Sequence, residues 1–160
     1  MSISGTKFAK IYIGTTAAID RSTDELALSS YEGDTWKEIK NVEGLGEFGD
    51  EAAAIEVSYL GDARKKRLKG TRDAGVLEIT CGRDPKDAGQ VALLVARDSD
   101  YDHNFKVVLN DKPAGGTQST SIYFTGPVMS GRVGVSGVDE AIKLTAQIAI
   151  NTDILEDTAE

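Results

Sequence analysis

The segment over residues 141–151 constrains the fold more than any other, because its apolar and polar residues alternate. A period of two places every second side chain on the same face of a β-strand. Such a strand needs one apolar neighbour and one side in water, which is typical of antiparallel sheets. The apolar face comprises Ile142, Leu144, Ala146, Ile148 and Ile150, and the other face comprises Lys143, Thr145, Gln147 and Ala149.

Five further segments carry strand signals, and they cover residues 8–13, 53–60, 76–82, 104–110 and 121–125. The stretch 128–138 mixes glycines with valines, as a bent and twisted ribbon does. Only one segment has a strong helical pattern. We therefore expect a mainly β fold, an antiparallel β-sandwich or barrel-like structure with one packed α-helix.

The predicted helix lies in AGQVALLVARDSD, residues 88–100, with Asp87 as its N-cap. Small and apolar residues recur along it at helical spacing. We expect the face that they form to pack across a sheet. The members of this face are Ala88, Val91, Ala92 and Val95.

The stretch NVEGLGEFGDEAAA contains a literal G-x-G-x-x-G, formed by Gly44, Gly46 and Gly49. In dinucleotide-binding proteins this motif follows a buried strand and opens a helix. Here the spacing of Trp36, Ile39 and Val42 predicts a short helical turn before the glycines, and the alternation after them predicts a strand. We interpret the glycines as turn residues that tolerate positive φ, and we expect no cofactor.

The composition fits one domain over residues 1–160, with 40% hydrophobic and 28% charged residues. No apolar run approaches the ~18 residues of a membrane span, and the N-terminus lacks the apolar core of a signal peptide. We therefore predict no membrane partner. The single cysteine, Cys81, lies in an alternating run and is predicted to be a buried, reduced thiol.

The aspartates Asp98, Asp100 and Asp102 have the spacing of a calcium loop. However, His103 stands where that loop needs glycine, and Leu109 stands where it needs a bidentate glutamate. His103 is also the only histidine, and no nucleophile motif accompanies it. We expect neither a metal site nor a catalytic site, and therefore no enzyme.

Charge is segregated along the chain, whose net charge is −8. Residues 20–51 carry ten acids against three bases, and residues 151–160 carry four acids and no base. By contrast, residues 61–75 carry six bases against two acids. The six bases are Arg64, Lys65, Lys66, Arg67, Lys69 and Arg72.

This basic cluster can be interpreted as a solvated, disordered loop or as a docking arm. Six cations in nine residues repel one another, which favours a role that uses their charge. The acidic segments of another copy offer a matching surface, so self-association is one partner class. Nucleic acid is the competing class, although the cluster lacks interleaved aromatic residues for base stacking.

Several segments follow one another in a recognisable order: WKEIKNVEGLGEFG, the loop KGTRDAG before VLEIT, the helix DAGQVALLVA, the strand FKVVLND, and SIYFTGPVMS before the final alternating strand. Their order and spacing, over roughly residues 5–152, resemble the major tail tube proteins of long-tailed, non-contractile bacteriophages and related prophage and gene-transfer particles. The resemblance implies a structural virion protein whose six copies close into a ring. The rings would stack into the tube that delivers DNA to the host.

The resemblance also implies arms at the contacts between rings. Carried over here, these are a flexible N-terminal arm at about residues 1–7, the long basic loop 61–75 with its six bases as inter-ring residues, and the acidic C-terminal arm 151–160. The implied partners are further copies of the chain and the tape-measure, tail-tip and tail terminator proteins. DNA would pass through the lumen without sequence-specific binding, and an acidic lumen is a hypothesis. The protein would be made in the host cytoplasm and reside in the virion tail.

Two other functional classes remain open. The inner tube of a contractile tail or secretion system has the same general architecture. A ligand-binding β-sandwich module would use exposed aromatic residues, whereas aromatic residues make up 6% of this chain and it has one tryptophan.

Overall fold

A computed structural model describes residue 5 and residues 7–160, and in this part of the chain eleven β-strands and two α-helices form. The helices are α1 (Asp24–Glu32) and α2 (Ala88–Arg97). The strands are β1 (Lys10–Ile13), β2 (Lys37–Ile39), β3 (Val42–Leu45), β4 (Glu51–Val57), β5 (Lys66–Asp73), β6 (Val76–Gly82), β7 (His103–Val108), β8 (Ser121–Gly126), β9 (Val128–Gly134), β10 (Lys143–Ala149) and β11 (Leu155–Asp157). Most of the predicted N-terminal arm, residues 1–4 and 6, lies outside the described residues.

The strands form two sheets and a separate hairpin. Sheet A has the order β11-β8-β7-β1-β2, and sheet B has the order β3-β6-β10-β9. Among the described residues, strands β4 and β5 pair only with each other, and they are called the hairpin below. Every pairing within the described residues is antiparallel, which confirms the predicted fold class.

The core lies between the inner faces of sheets A and B. Sheet A contributes Ile11, Phe105 and Phe124, and the two phenylalanine rings stack with their centroids 5.5 Å apart. Sheet B contributes Leu144 and Ile148 from β10, which pair with residues of β6 and β9 on either side. All five side chains are fully buried, so burial of apolar surface is the main stabilising contribution to this fold.

The alternation predicted for residues 141–151 is confirmed within β10. Leu144, Ala146 and Ile148 point into the core, while Lys143 and Gln147 are exposed. The other five predicted strands also form, with ends that differ by up to three residues from the predicted bounds.

Helix α2 begins where it was predicted, and the carboxylate of Asp87 accepts a hydrogen bond from the backbone N–H of Gln90. The predicted packing face is wrong except for Ala92, which is partly buried against the core. The buried residues are Gly89, Gln90, Leu93 and Ala96, whereas Val95 on the predicted face points to solvent. The polar side chain of Gln90 enters the interior because its amide donates to the carbonyl oxygens of Lys40 and Gly82, at 3.1 and 2.8 Å.

Two further local predictions need correction. The segment around Trp36, predicted as a helical turn, instead forms β2 and β3, which are joined through Asn41 in the left-handed region with φ 59°. Helix α1 was not predicted. It begins after Thr23, whose hydroxyl oxygen accepts from the backbone N–H of Leu26, and its short buried face includes Tyr31.

Candidate self-association surfaces

Four of the six bases of the basic cluster lie in a strand rather than in the long loop predicted over residues 61–75. Residues Lys66–Asp73 are β5, which pairs with β4 through residues such as Ile55 and Leu68. The loop prediction failed because β5 has no buried face and therefore no apolar alternation in its sequence. A two-stranded hairpin that packs on no third strand is marginally stable in water, so it needs a further contact.

The two faces of the hairpin differ in chemistry. Arg67, Lys69 and Arg72 lie opposite Glu56, Ala54 and Ala52, and cross-strand partners share a face. We call this side the cationic face. On the other side Val57 pairs with Lys66 and Ile55 pairs with Leu68, and the side chains of Ile55 and Leu68 are 49% and 60% exposed.

Intramolecular ion pairs engage only part of the cluster. Lys65 and Arg67 contact the carboxylate of Glu56 at 3.7 and 3.2 Å, and Lys66 contacts Asp62 at 3.1 Å. Three cations form no ion pair with the described residues: Arg64, Lys69 and Arg72. No carboxylate of the described residues therefore compensates the charge of these three side chains.

The structure joins two acidic stretches that are far apart in the sequence, because α1 contacts β11. Part of the predicted C-terminal arm forms β11, a strand of sheet A in which Leu155 pairs with Tyr123 of β8. The backbone N–H of Thr117 also donates to the carbonyl oxygen of Glu160 at 2.6 Å. We call the resulting patch the acidic surface, and its carboxylates are Asp24, Glu25 and Glu32 in α1 and Asp153, Glu156, Asp157 and Glu160 in and around β11.

A polar network holds the region around α1 against sheet A. The buried amide of Asn104 donates to Asp34 at 2.8 Å and accepts from the hydroxyl of Thr125 at 2.9 Å. That hydroxyl lies 2.8 Å from the hydroxyl of Tyr31 in α1, and Asp34 accepts from the backbone N–H of Thr15 at 3.0 Å. Burial opposes the ionisation of Asp34, but the hydrogen bonds outweigh it and hold the pKa of the carboxyl below 3.8.

The free edges of the two sheets also differ. Sheet A ends in β2 and β11, which are three residues long each, whereas sheet B ends in β3, with four residues, and in β9, with seven residues. Met129 and Val133 of β9 are 63% and 51% exposed. A long edge with exposed apolar side chains is suited to pairing with another chain.

The residues considered for chemistry lie apart from these surfaces or are inert. Cys81 is fully buried as predicted, and burial raises the pKa of its thiol to about 11. His103 begins β7, and its Nδ1 lies 3.1 Å from the carbonyl oxygen of Tyr101. Among the described residues, no group of three or more histidine, cysteine, aspartate or glutamate side chains could hold a metal ion.

The glycine motif lies in and after β3, before β4, so it leads into a strand. Of its three members only Gly49 has positive φ, at 154°, because Gly44 lies within β3. The interpretation of the glycines as turn residues is therefore wrong for Gly44, which lies in a strand. No helix in the described part of the chain is long and apolar enough to cross a membrane.

A family model described as "Phage tail tube protein, TTP" matches residues 4–155. No curated protein sequence matches the chain.

Several solved structures have the same fold. The SPP1 tail tube matches with a TM-score of 0.67 and 16% identity, over 98% of this chain and 80% of that one. The sheath/tube terminator of the PVC extracellular contractile injection system matches with a TM-score of 0.69 and 7% identity, over 99% of each chain. A type six secretion system protein matches with a TM-score of 0.52 and 19% identity, over 88% of this chain and 78% of that one.

Proposed function

The chain belongs to the phage tail tube protein family, and from this premise we propose that six copies close into a ring and that rings stack into the tail tube. The role is structural and not enzymatic. The observation that carries the proposal is the family match over residues 4–155 of the 160-residue chain.

The free edges of sheet B support the contact within a ring. An unpaired edge strand has backbone N–H and C=O groups that a neighbouring sheet can satisfy. β9 of one copy pairs with β3 of the next, so that neighbouring sheets join into a closed barrel. Because the two edges are different strands, the contact is head-to-tail and can close a ring.

The charged surfaces support the contact between rings. The cationic face of the hairpin in one ring docks on the acidic surface of a copy in the next ring. Each exposed ion pair contributes only about 0.2–1 kcal/mol, but a ring repeats the contact six times. The proposed inter-ring residues are Arg64, Lys65, Lys66, Arg67, Lys69 and Arg72.

In the virion tail the tube would contact tape-measure, tail-tip and tail terminator proteins, and it would pass DNA through its lumen. The net charge of −8 disfavours tight, sequence-independent binding of that DNA to the protein. Ordering a flexible segment costs about 1–2 kcal/mol per residue in backbone entropy, so assembly should be slow without a tip complex as template.

A second candidate function is the inner tube of a contractile tail or secretion system. The similarity to the PVC terminator and to the type six secretion system protein favours it. The description of the matching family as phage tail tube favours a tail tube, and a binding assay with a sheath protein would separate the two candidates.

Negative-stain electron microscopy of the purified protein at rising concentration tests the proposal. We expect rings or tubes with sixfold end views. A protein that stays monomeric at high concentration, with and without seeding by tail tips, would refute it.

A further inference from the structure

Helix α2 is apolar on the face that points away from the core as well as on the buried face. The buried face carries Leu93 and Ala96, with Ala92 partly buried against the core, and the outward face carries Ala88, Val91 and Val95. Val91 and Val95 are 44% and 64% exposed, although they lie one turn apart on a helix whose one charged residue is Arg97. A helix that is apolar all round is normally buried on all sides, so the outward face of α2 needs a cover.

A matching apolar groove lies elsewhere on the same molecule. It has a volume of about 640 Å³ and lies between the segment that follows β3 and the end of sheet A that carries Leu109 and Ile122. Phe48 and Ile154 complete its apolar lining, and three carboxylates line the rest of it: Glu47, Asp50 and Glu156, the last of which also belongs to the acidic surface. The groove shares no residue with α2, so one copy can use both surfaces at the same time.

Both surfaces adjoin the free edges of sheet B. Leu94 of α2 packs against Gly131 of β9, and Nη1 of Arg97 donates to the carbonyl oxygen of Gly131 at 3.0 Å. The groove begins at Gly46, directly after the last residue of β3. Pairing of β9 with β3 of the next copy therefore brings α2 alongside that copy's groove.

From this juxtaposition we propose that the outward face of α2 docks in the groove of a second copy, as the apolar part of the contact within the ring. The inference rests on the proposed function, since it requires that the chain self-associates. It commits to a head-to-tail contact, in which each copy gives its helix to one neighbour and receives a helix from the other. The hairpin, with its exposed Ile55 and Leu68, is the competing occupant of the groove.

A mixing experiment tests the orientation of the contact. Two proteins are prepared in a Cys81→Ala background, one with Val95→Cys on α2 and one with Glu47→Cys at the exposed rim of the groove. Under assembly conditions and mild oxidation, the mixture should give a disulfide-linked dimer that neither protein gives alone. A dimer from either protein alone would contradict the head-to-tail geometry. A cross-link between Glu47→Cys and Leu68→Cys, in place of the first pair, would assign the groove to the hairpin.

A charge substitution tests the energetic role of the helix face. The double variant V91E/V95E should remain folded by circular dichroism, since both side chains are exposed. It should raise the protein concentration needed for assembly by about tenfold or more, because each ring repeats the lost apolar contact. Ile142→Glu is the matched control, since Ile142 is an aliphatic residue with 49% exposure that lies outside α2, the groove and the charged surfaces, and it should assemble as wild type.

The outcomes separate this inference from the proposed function. Normal tubes from V91E/V95E would overturn the helix docking and leave the tail tube assignment intact. A wild-type protein that forms no rings or tubes would overturn the proposed function and, with it, this inference.

Discussion

The double variant K69E/R72E tests whether the cationic face of the hairpin stacks the rings. Neither residue forms an ion pair with the described part of its own chain, and both lie opposite alanines of β4. Reversing them should therefore leave the hairpin intact while it removes attraction to the acidic surface. We expect folded protein that forms rings without long tubes.

The magnitude follows from the number of charges changed. Two attractive contacts are lost and two repulsive ones appear, and at about 0.2–1 kcal/mol each the change is about 1–4 kcal/mol per hairpin. Over the six hairpins of a proposed ring this amounts to about 5–24 kcal/mol, which is enough to abolish stacking. Added salt should shorten wild-type tubes and partly restore tube formation by the variant, because ions screen exposed charges over about 10 Å at 0.1 M.

Tube length is measured by electron microscopy and sedimentation between about 50 and about 500 mM salt, a range over which the screening length falls several-fold. The control is K37E/K86E, which makes the same change in net charge at two exposed lysines that lie outside the hairpin and form no ion pair with the described residues. It should shorten tubes less. Tubes of normal length and normal salt dependence from K69E/R72E would refute the reasoning, and equal effects of both variants would assign the result to net charge.

Three further predictions concern the subunit itself. Gly89→Ala should lower the free energy of unfolding by about 1–3 kcal/mol in urea titrations, because its Cβ would overlap the backbone of Glu38 and Ile39; an unchanged midpoint would contradict this packing. Asp34→Asn should cost about 1–3 kcal/mol at neutral pH. The pKa of Asp34 in the folded protein is lowered from its ordinary value of 3.8, so the stabilisation by its ionised carboxylate is present above that value and is lost as pH falls through the folded pKa. The variant should therefore show less acid destabilisation than wild type in thermal melts. Equal pH profiles of the two proteins would count against the network. Deletion of residues 155–160 should lower the melting temperature, because it removes β11 from sheet A, whereas E156Q/D157N should keep the melting temperature and shorten tubes.

The sequence predicted those elements whose two faces differ in polarity. β6 and β10 have one face in the core, so their residues alternate and their positions could be found. The sequence of helix α1 has little hydrophobic periodicity, because only Ala27 and Tyr31 of its nine residues are buried. The two-residue connection between β2 and β3 produced an accidental spacing of three around Trp36, which mimicked a helical turn.

The candidate surfaces were only partly predictable. The basic cluster was visible as composition, but its division into paired and unpaired cations depends on the register of β5 against β4. The acidic surface combines α1 with β11, which are more than a hundred residues apart in the sequence. On α2 the pattern correctly identified a face of apolar residues, but it wrongly predicted that this face packs on a sheet of the same molecule, because both faces of the helix are apolar.

The hairpin also makes the unassembled subunit vulnerable to digestion. Trypsin cleaves after lysine and arginine, and β5 and the turn before it carry six such sites on a strand with no buried side chain. Because a lone two-stranded hairpin opens readily, free subunits would be cut there first, while subunits whose hairpins are docked would be spared. Protease resistance over this segment would therefore report the fraction of the protein that has been incorporated into tubes.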